Sequence, residues 1–248
     1  MPDNVADKYS YLLKQIIDKV TSAEADMLER AGKIVADKIK TDNIVHVFGT
    51  GHSHMGAEEV LYRAGGLAIY NAILIPPLML HRGARKSTAR ERKKGYIKEA
   101  LENYNFSEDD VMVVISNSGV NAVPVEAALY SKEQGMDVIA ITSLEYSKYA
   151  QTDNTEGKKL YQIADLVIDN HLPPGDAILE IDKDIGRVGP ASTIIVSMIL
   201  NIISLQAISI LKQEGVKAIP YYKSSNIEGA EKHNQKIAAR YDSKIKHL

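Results

Sequence analysis

Ser53, Ser116, Ser118 and Asn121 are the residues of this chain whose types and spacing suit oxyanion chemistry. Each hydroxyl or amide donates a hydrogen bond, and one such bond to a charged group contributes about 1.5–3 kcal/mol. Three together support micro- to millimolar binding of a phosphate group, before the costs of association. The four lie in two turns, Gly49-Thr50-Gly51-His52-Ser53-His54 and Ser116-Asn117-Ser118-Gly119-Val120-Asn121, each directly after an apolar run. Ser, Asn and Gly are common in any strand-to-helix turn. One such turn is therefore uninformative, and only the pair carries weight.

The elements that position these turns follow from periodicity. Val111–Ile115 is short and wholly apolar, as a strand covered on both faces must be. Asn121 can cap a helix over 123–134, with Pro124 in its first turn and Gly135 as its stop. Ile44–Phe48 reads as the first strand, with a helix from His54 to about Ala64 behind it. Leu67–Ile75, Val138–Thr142 and Leu166–Asp169 read as further strands, with helical stretches within 94–104 and 145–163 between them. Alternating strand and helix predicts an α/β fold, a five-stranded parallel doubly wound sheet of order 2-1-3-4-5. In that order the first and third strands are neighbours whose connections leave in opposite directions. Ligands bind in the crevice at their carboxyl ends, where both turns would sit.

Before the sheet, Tyr9–Val20 and Met27–Ile39 carry apolar residues at helical spacing and predict two amphipathic helices. Thr21 with Glu24 reads as the capping box between them. Thr193–Leu211 is nineteen residues without a charge. Polar residues at helical spacing (Thr193, Ser197, Asn201, Ser204) favour a buried helix, starting at Gly189-Pro190 and lying at an oligomer interface, over a membrane span. A last helix falls near Glu228–Tyr241.

Several functions are excluded or disfavoured. The dinucleotide fingerprint needs a third glycine where His54 stands and an acid at the end of the second strand, where Leu74-Ile75-Pro76-Pro77 stands. No Gly-Lys-Ser/Thr follows either, so the turn is not a triphosphate P-loop. With no cysteine, thiolate catalysis and cysteine zinc sites are excluded. A net charge of -2 gives no electrostatic case for nucleic acid. Met1–Asp7 has no apolar signal core, and the expected location is cytoplasmic. Residues 81–94 hold Arg82, Arg85, Lys86, Arg90, Arg92, Lys93 and Lys94 against the single acid Glu91. This is either a solvated loop or subunit contact, or a flap that meets a phosphorylated substrate.

Gly49-Thr50-Gly51-His52-Ser53, Ser116-Asn117-Ser118-Gly119-Val120-Asn121 and Val188-Gly189-Pro190-Ala191-Ser192-Thr193 together resemble the SIS (sugar isomerase) phosphosugar-binding family. The resemblance spans about 44–211. It implies that 43–248 is a phosphosugar domain and that the helices of 1–42 pack on it or on a partner subunit, all as one structural domain. It also implies that Ser53, Ser116, Ser118 and Asn121 hold a sugar phosphate, with Gly51, His52 and Asn117 lining the site, and that the chain is a homodimer or homotetramer. No cofactor and no metal are expected. Sugar-phosphate isomerisation of the aldose–ketose type needs a carboxylate or imidazole base. The two places where the family carries its glutamate are Arg63 and Arg187 here. Glu58 and Glu59 are the acids on offer nearby, although Glu59 and Arg63 also make an ordinary i,i+4 pair. The alternatives are a non-catalytic phosphosugar sensor and an etherase-type lyase on an amino-sugar phosphate. Among the histidines, His52 and His54 stand at the mouth of the site; His81, His171 and His233 lie further along the chain.

Overall fold

The computed structural model describes residues 4–152 and 154–248. The apolar runs form the strands β1 (Val45–Gly49), β2 (Tyr70–Ile73), β3 (Val111–Ile115), β4 (Asp137–Thr142) and β5 (Leu166–Asp169). They pair in parallel in the order β2-β1-β3-β4-β5, as the sequence predicts. Both faces are covered. Val45, Val47, Val113, Ile115, Ile139 and Ile141 point into one core, and Phe48, Met112, Val114, Val138 and Ala140 into the other. Both sets are almost wholly apolar, His46 of β1 being a buried polar exception, so the runs show no alternation.

Helices α1 (Val5–Ala23) and α2 (Ala25–Thr41) precede the sheet, and α3 (His54–Val60) follows β1. The break between α1 and α2 falls at Glu24. Thr21 is no cap, because its hydroxyl donates to the Ile17 and Asp18 carbonyls within α1. After β2 come α4 (Ala84–Glu91) and α5 (Ile97–Leu101), then α6 (Ala122–Glu133) and α7 (Leu144–Tyr149). Helix α3 stops at Val60 instead of running to Ala64, and β2 is shorter than the apolar stretch 67–75. Residues 65–68 pair with 220–222 from the far end of the chain, which ends the helix early and delays the strand, while past Ile73 the Leu74 N–H donates to the Tyr104 hydroxyl at 3.0 Å. Gly65 and Ala68 N–H groups donate to Tyr222 and Pro220 carbonyls at 2.8 and 2.9 Å, and Tyr222 N–H donates back to Gly66 at 3.0 Å.

Beyond β5, a hairpin of β6 (Ala177–Glu180) and β7 (Arg187–Pro190) occupies a stretch that reads as loop in the sequence. Gly189 and Pro190 therefore end a strand, and α8 (Ser192–Gln213) starts two residues later. Asp176 caps it, accepting from Ser192 N–H at 2.8 Å and Ser192 hydroxyl at 2.6 Å. By length and composition α8 could cross a membrane, but Ile195, Ile199, Leu200, Ile203, Ala207 and Leu211 are buried in the core they share with α2 and the sheet. Gly32 allows this approach, since a Cβ there would stand 2.4 Å from Gln206 Cβ. Finally α9 (Ala230–Tyr241) brings Tyr241 and Ile245 against Ile44, Ala68 and Tyr222 in a small third core.

Candidate oxyanion-binding site

The two expected turns do meet at the carboxyl edge of β1 and β3. After β1 the chain makes a single 3-10 turn at Gly51–Ser53, closed by Ser53 N–H donating to Thr50 C=O at 2.9 Å. After β3, Ser116 is buried, and its hydroxyl oxygen accepts from Gly119 N–H at 3.2 Å. Gly119 has φ +62, and a Cβ there would stand 2.9 Å from both Thr142 Oγ1 and Ser147 Oγ, so the turn requires glycine. Ser147 braces it by donating to Ser118 C=O at 2.6 Å. Ser118 stays half-buried.

Asn121 takes the N-cap position of α6, as expected, but its side chain makes no capping bond. Its amide instead donates to the carboxylate of Glu91, the last residue of α4. The first intrahelical bond of α6 runs from Val125 N–H to Asn121 C=O at 3.4 Å. The Ala122 and Val123 N–H groups precede it and have no intrahelical acceptor. Glu91 also lies on the side of the other turn, with Oε2 3.9 Å from where a Cβ on Gly51 would stand.

A narrow cleft opens beside the turns, lined by His52, Ser53, Asn117, Asn170, Ser192 and Thr193 over an apolar floor of Gly56, Ile115 and Val196; Ser116, Ser118 and Asn121 are not in its lining. A water-sized sphere has about 10 Å³ of free movement inside it. It therefore admits a water or one ligand oxygen, and a sugar ring would lie across its mouth. Asn170 Nδ2 donates to Asn117 Oδ1 at 2.9 Å, tying the end of β5 to the β3 turn. Asn170, Ser192 and Thr193 are cleft residues missing from the sequence reading, although Ser192 and Thr193 belong to the third motif. Asn170 had one available signal, a polar side chain directly after an apolar strand.

The candidate acids sit on α3. Glu59 accepts from Arg63 Nη1 at 2.9 Å and from Asn201 Nδ2 of α8 at 3.2 Å. Glu58 is half-exposed, 3.6 Å from His54 Nε2. His52 is exposed at the cleft. His54 is buried, with Nδ1 bonded to the Gly51 carbonyl, so it braces the turn instead of standing at the mouth. His171 is left-handed at φ +54, with Nε2 2.9 Å from Glu24 and Nδ1 3.3 Å from Asp169. His233 donates to Tyr221 C=O at 2.8 Å, and His81 is exposed. Among the described residues no three acids or histidines are grouped to hold a metal ion.

Comparison with known proteins shows the family and the fold. Residues 8–143 match the SIS domain family. A UPF0309 protein of Caldanaerobacter subterraneus is 40% identical over 98% of this chain and 99% of its own length. One from Halalkalibacterium halodurans is 42% identical over 96% of this chain and 94% of its own. Two solved structures share the fold at low identity. The phosphoheptose isomerase of Neisseria gonorrhoeae superposes with a TM-score of 0.53 at 17% identity, covering 84% of this chain and 97% of that one. That of Francisella tularensis gives 0.50 at 20% identity, covering 82% and 100%. With more than half its length matched and relatives of 40% and 42% identity along nearly all of it, the chain belongs to the SIS domain family, among the UPF0309 proteins.

Proposed function

We propose that this protein binds a sugar phosphate at the carboxyl edge of β1 and β3 and isomerises it between aldose and ketose forms. The observation that carries this reading is the meeting of the Gly51–Ser53 and Ser116–Asn121 turns beside the N-terminus of α6. Hydroxyls, amides and the unpaired N–H groups of Ala122 and Val123 all favour an anion there. Ser53, Ser116, Ser118 and Asn121 hold the phosphate, with Gly51, His52 and Asn117 around the sugar. Glu59 or Glu58 serves as the base that removes a proton from C2 and returns one to C1. Of these two, Glu58 is free of an arginine partner, while Glu59 must first leave Arg63. The location we propose is cytoplasmic.

A non-catalytic phosphosugar sensor is the second reading. Arg63 holding Glu59 at 2.9 Å favours it, since that ion pair must break before the carboxylate can reach a substrate. A thermal-shift screen tests binding. A sugar phosphate at about a hundred times its dissociation constant adds roughly 2.7 kcal/mol of stability, and its unphosphorylated form adds none. Replacing Ser116 and Ser118 together by Ala abolishes the shift; a doubly substituted protein that responds like wild type rules out this pocket. Exchange of the C2 hydrogen in deuterated water separates the readings, because an isomerase exchanges it and a sensor does not.

A further inference from the structure

On the reading that this chain holds a sugar phosphate, we propose that Glu91 competes with the ligand's phosphate for Asn121 and the N-terminus of α6. The ligand must then displace Glu91. One oxygen of the carboxylate accepts from Asn121 Nδ2, and the other lies on the side of the first turn, 3.9 Å from where a Cβ on Gly51 would stand. The carboxylate also lies at the N-terminal end of α6, where the dipole and the orphan N–H groups favour negative charge.

The surroundings of Glu91 suit exchange of one anion for another. It is the single acid in a stretch with seven basic residues, and it alone of the charged groups there reaches in to these turns. Arg82, Arg85, Lys86, Arg92, Lys93 and Lys94 are exposed, and among the described residues no ion pair involves them. When a phosphate takes the place of Glu91, these cations remain beside it. Helix α4 is held independently of Glu91. The buried Ser87 hydroxyl donates to Leu78 C=O at 2.6 Å, and Arg90 donates to Pro77 C=O at 3.2 Å. Displacement therefore asks for a swing of one side chain and its terminal turn, with the rest of α4 in place.

Calorimetric titration of the whole protein with inorganic phosphate and with aldose and ketose 6-phosphates provides the test. A charge-assisted hydrogen bond surrendered on binding corresponds to roughly ten- to hundredfold in affinity. Glu91→Ala is expected to bind the sugar phosphates tighter by about that factor, to tighten inorganic phosphate in the same direction, and to leave neutral sugars unbound. Glu91→Gln keeps the bulk and an oxygen for Asn121, so it should gain less than the alanine variant. Equal gains in the two variants would mean long-range charge alone and overturn the proposal. So would an alanine variant that binds no tighter than a wild type that does bind. If neither protein binds any sugar phosphate, the functional reading fails and takes this inference with it. Circular dichroism melts of both variants establish that they are folded.

Discussion

His46 is fully buried in β1 with a partner on each ring nitrogen. Asn71 Nδ2 donates to Nδ1 at 3.1 Å, and Nε2 donates to Asp110 at 3.1 Å. Asp110 also accepts from Ile44 N–H at 2.7 Å and Ser107 N–H at 2.8 Å. Burial alone would raise the Asp110 carboxyl, but these donors outweigh it and hold it below its ordinary value of 3.8. A folded-state value below the unfolded one stabilises above the unfolded value, and the benefit is lost as pH falls through the folded one. Asp110→Asn turns an amide N–H toward other donors. It should cost about 3 kcal/mol in urea melts at pH 7, with the gap from wild type closing progressively below about pH 4. The opposite sign appears at Tyr222 and Tyr241, whose buried hydroxyls find no partner among the described residues. Burial pushes both up to about 12. Stability tied to them is complete below about pH 10 and is lost as pH rises through about 12. Tyr241→Phe should therefore leave neutral-pH stability unchanged or raise it by up to about 1 kcal/mol, and should flatten the alkaline decline.

At the level of elements, α2 and α8 meet where Gly32 faces Gln206 and Ala207. Glycine inside a helix costs about 1 kcal/mol relative to alanine, so propensity alone favours replacing it. Packing opposes this, because the added methyl would lie 3.2 Å from Ala207 N as well as against Gln206 Cβ. Overpacking costs roughly 1–3 kcal/mol, and Gly32→Ala should lose about 1–2 kcal/mol net in urea melts. The same contrast between local and distant causes explains what could be read from the sequence. Strands β1, β3, β4 and β5 were legible because burial on both faces makes them apolar runs, broken in β1 only by His46. The two site turns were legible because hydroxyls and glycine directly follow those runs. The shortened β2 and α3 were not, since 220–222 and Tyr104 bound them from distant parts of the chain. Neither was the β6–β7 hairpin, where Ile181, Ile185 and Val188 are exposed and no face shows a burial pattern. Glu91 was hidden for a similar reason, since its one contact of consequence is with Asn121, thirty residues on.

Over the whole molecule, the N-terminal helices are tied to the site. Glu24, between α1 and α2, accepts from His171 and from Asp169 N–H, and Asn170 beside them braces Asn117 in the cleft. Among the described residues, nothing fully covers the outer face of α8 at Ile194 and Leu205. Ile194 and Leu205 are 44% and 62% exposed, and eleven residues apart they lie within about 20° of each other on the helix, in line with Met198. We expect a second copy of the chain on this stripe. Sedimentation should give a dimer or tetramer, and Leu205→Lys should shift it toward monomer; a wild-type monomer at micromolar concentration would rule this out.

One further consequence comes from α8 covering the same sheet face as α2. Synthesis delivers α8 about 150 residues after α2. Until Ser192–Gln213 leaves the ribosome, the core that α8 shares with α2 and the sheet lacks Ile195, Ile199, Leu200 and Ile203, and the nascent chain carries a greasy, unfinished surface that invites chaperones or clumping. A transcript ending before residue 190 should thus yield insoluble product, however complete its five strands are.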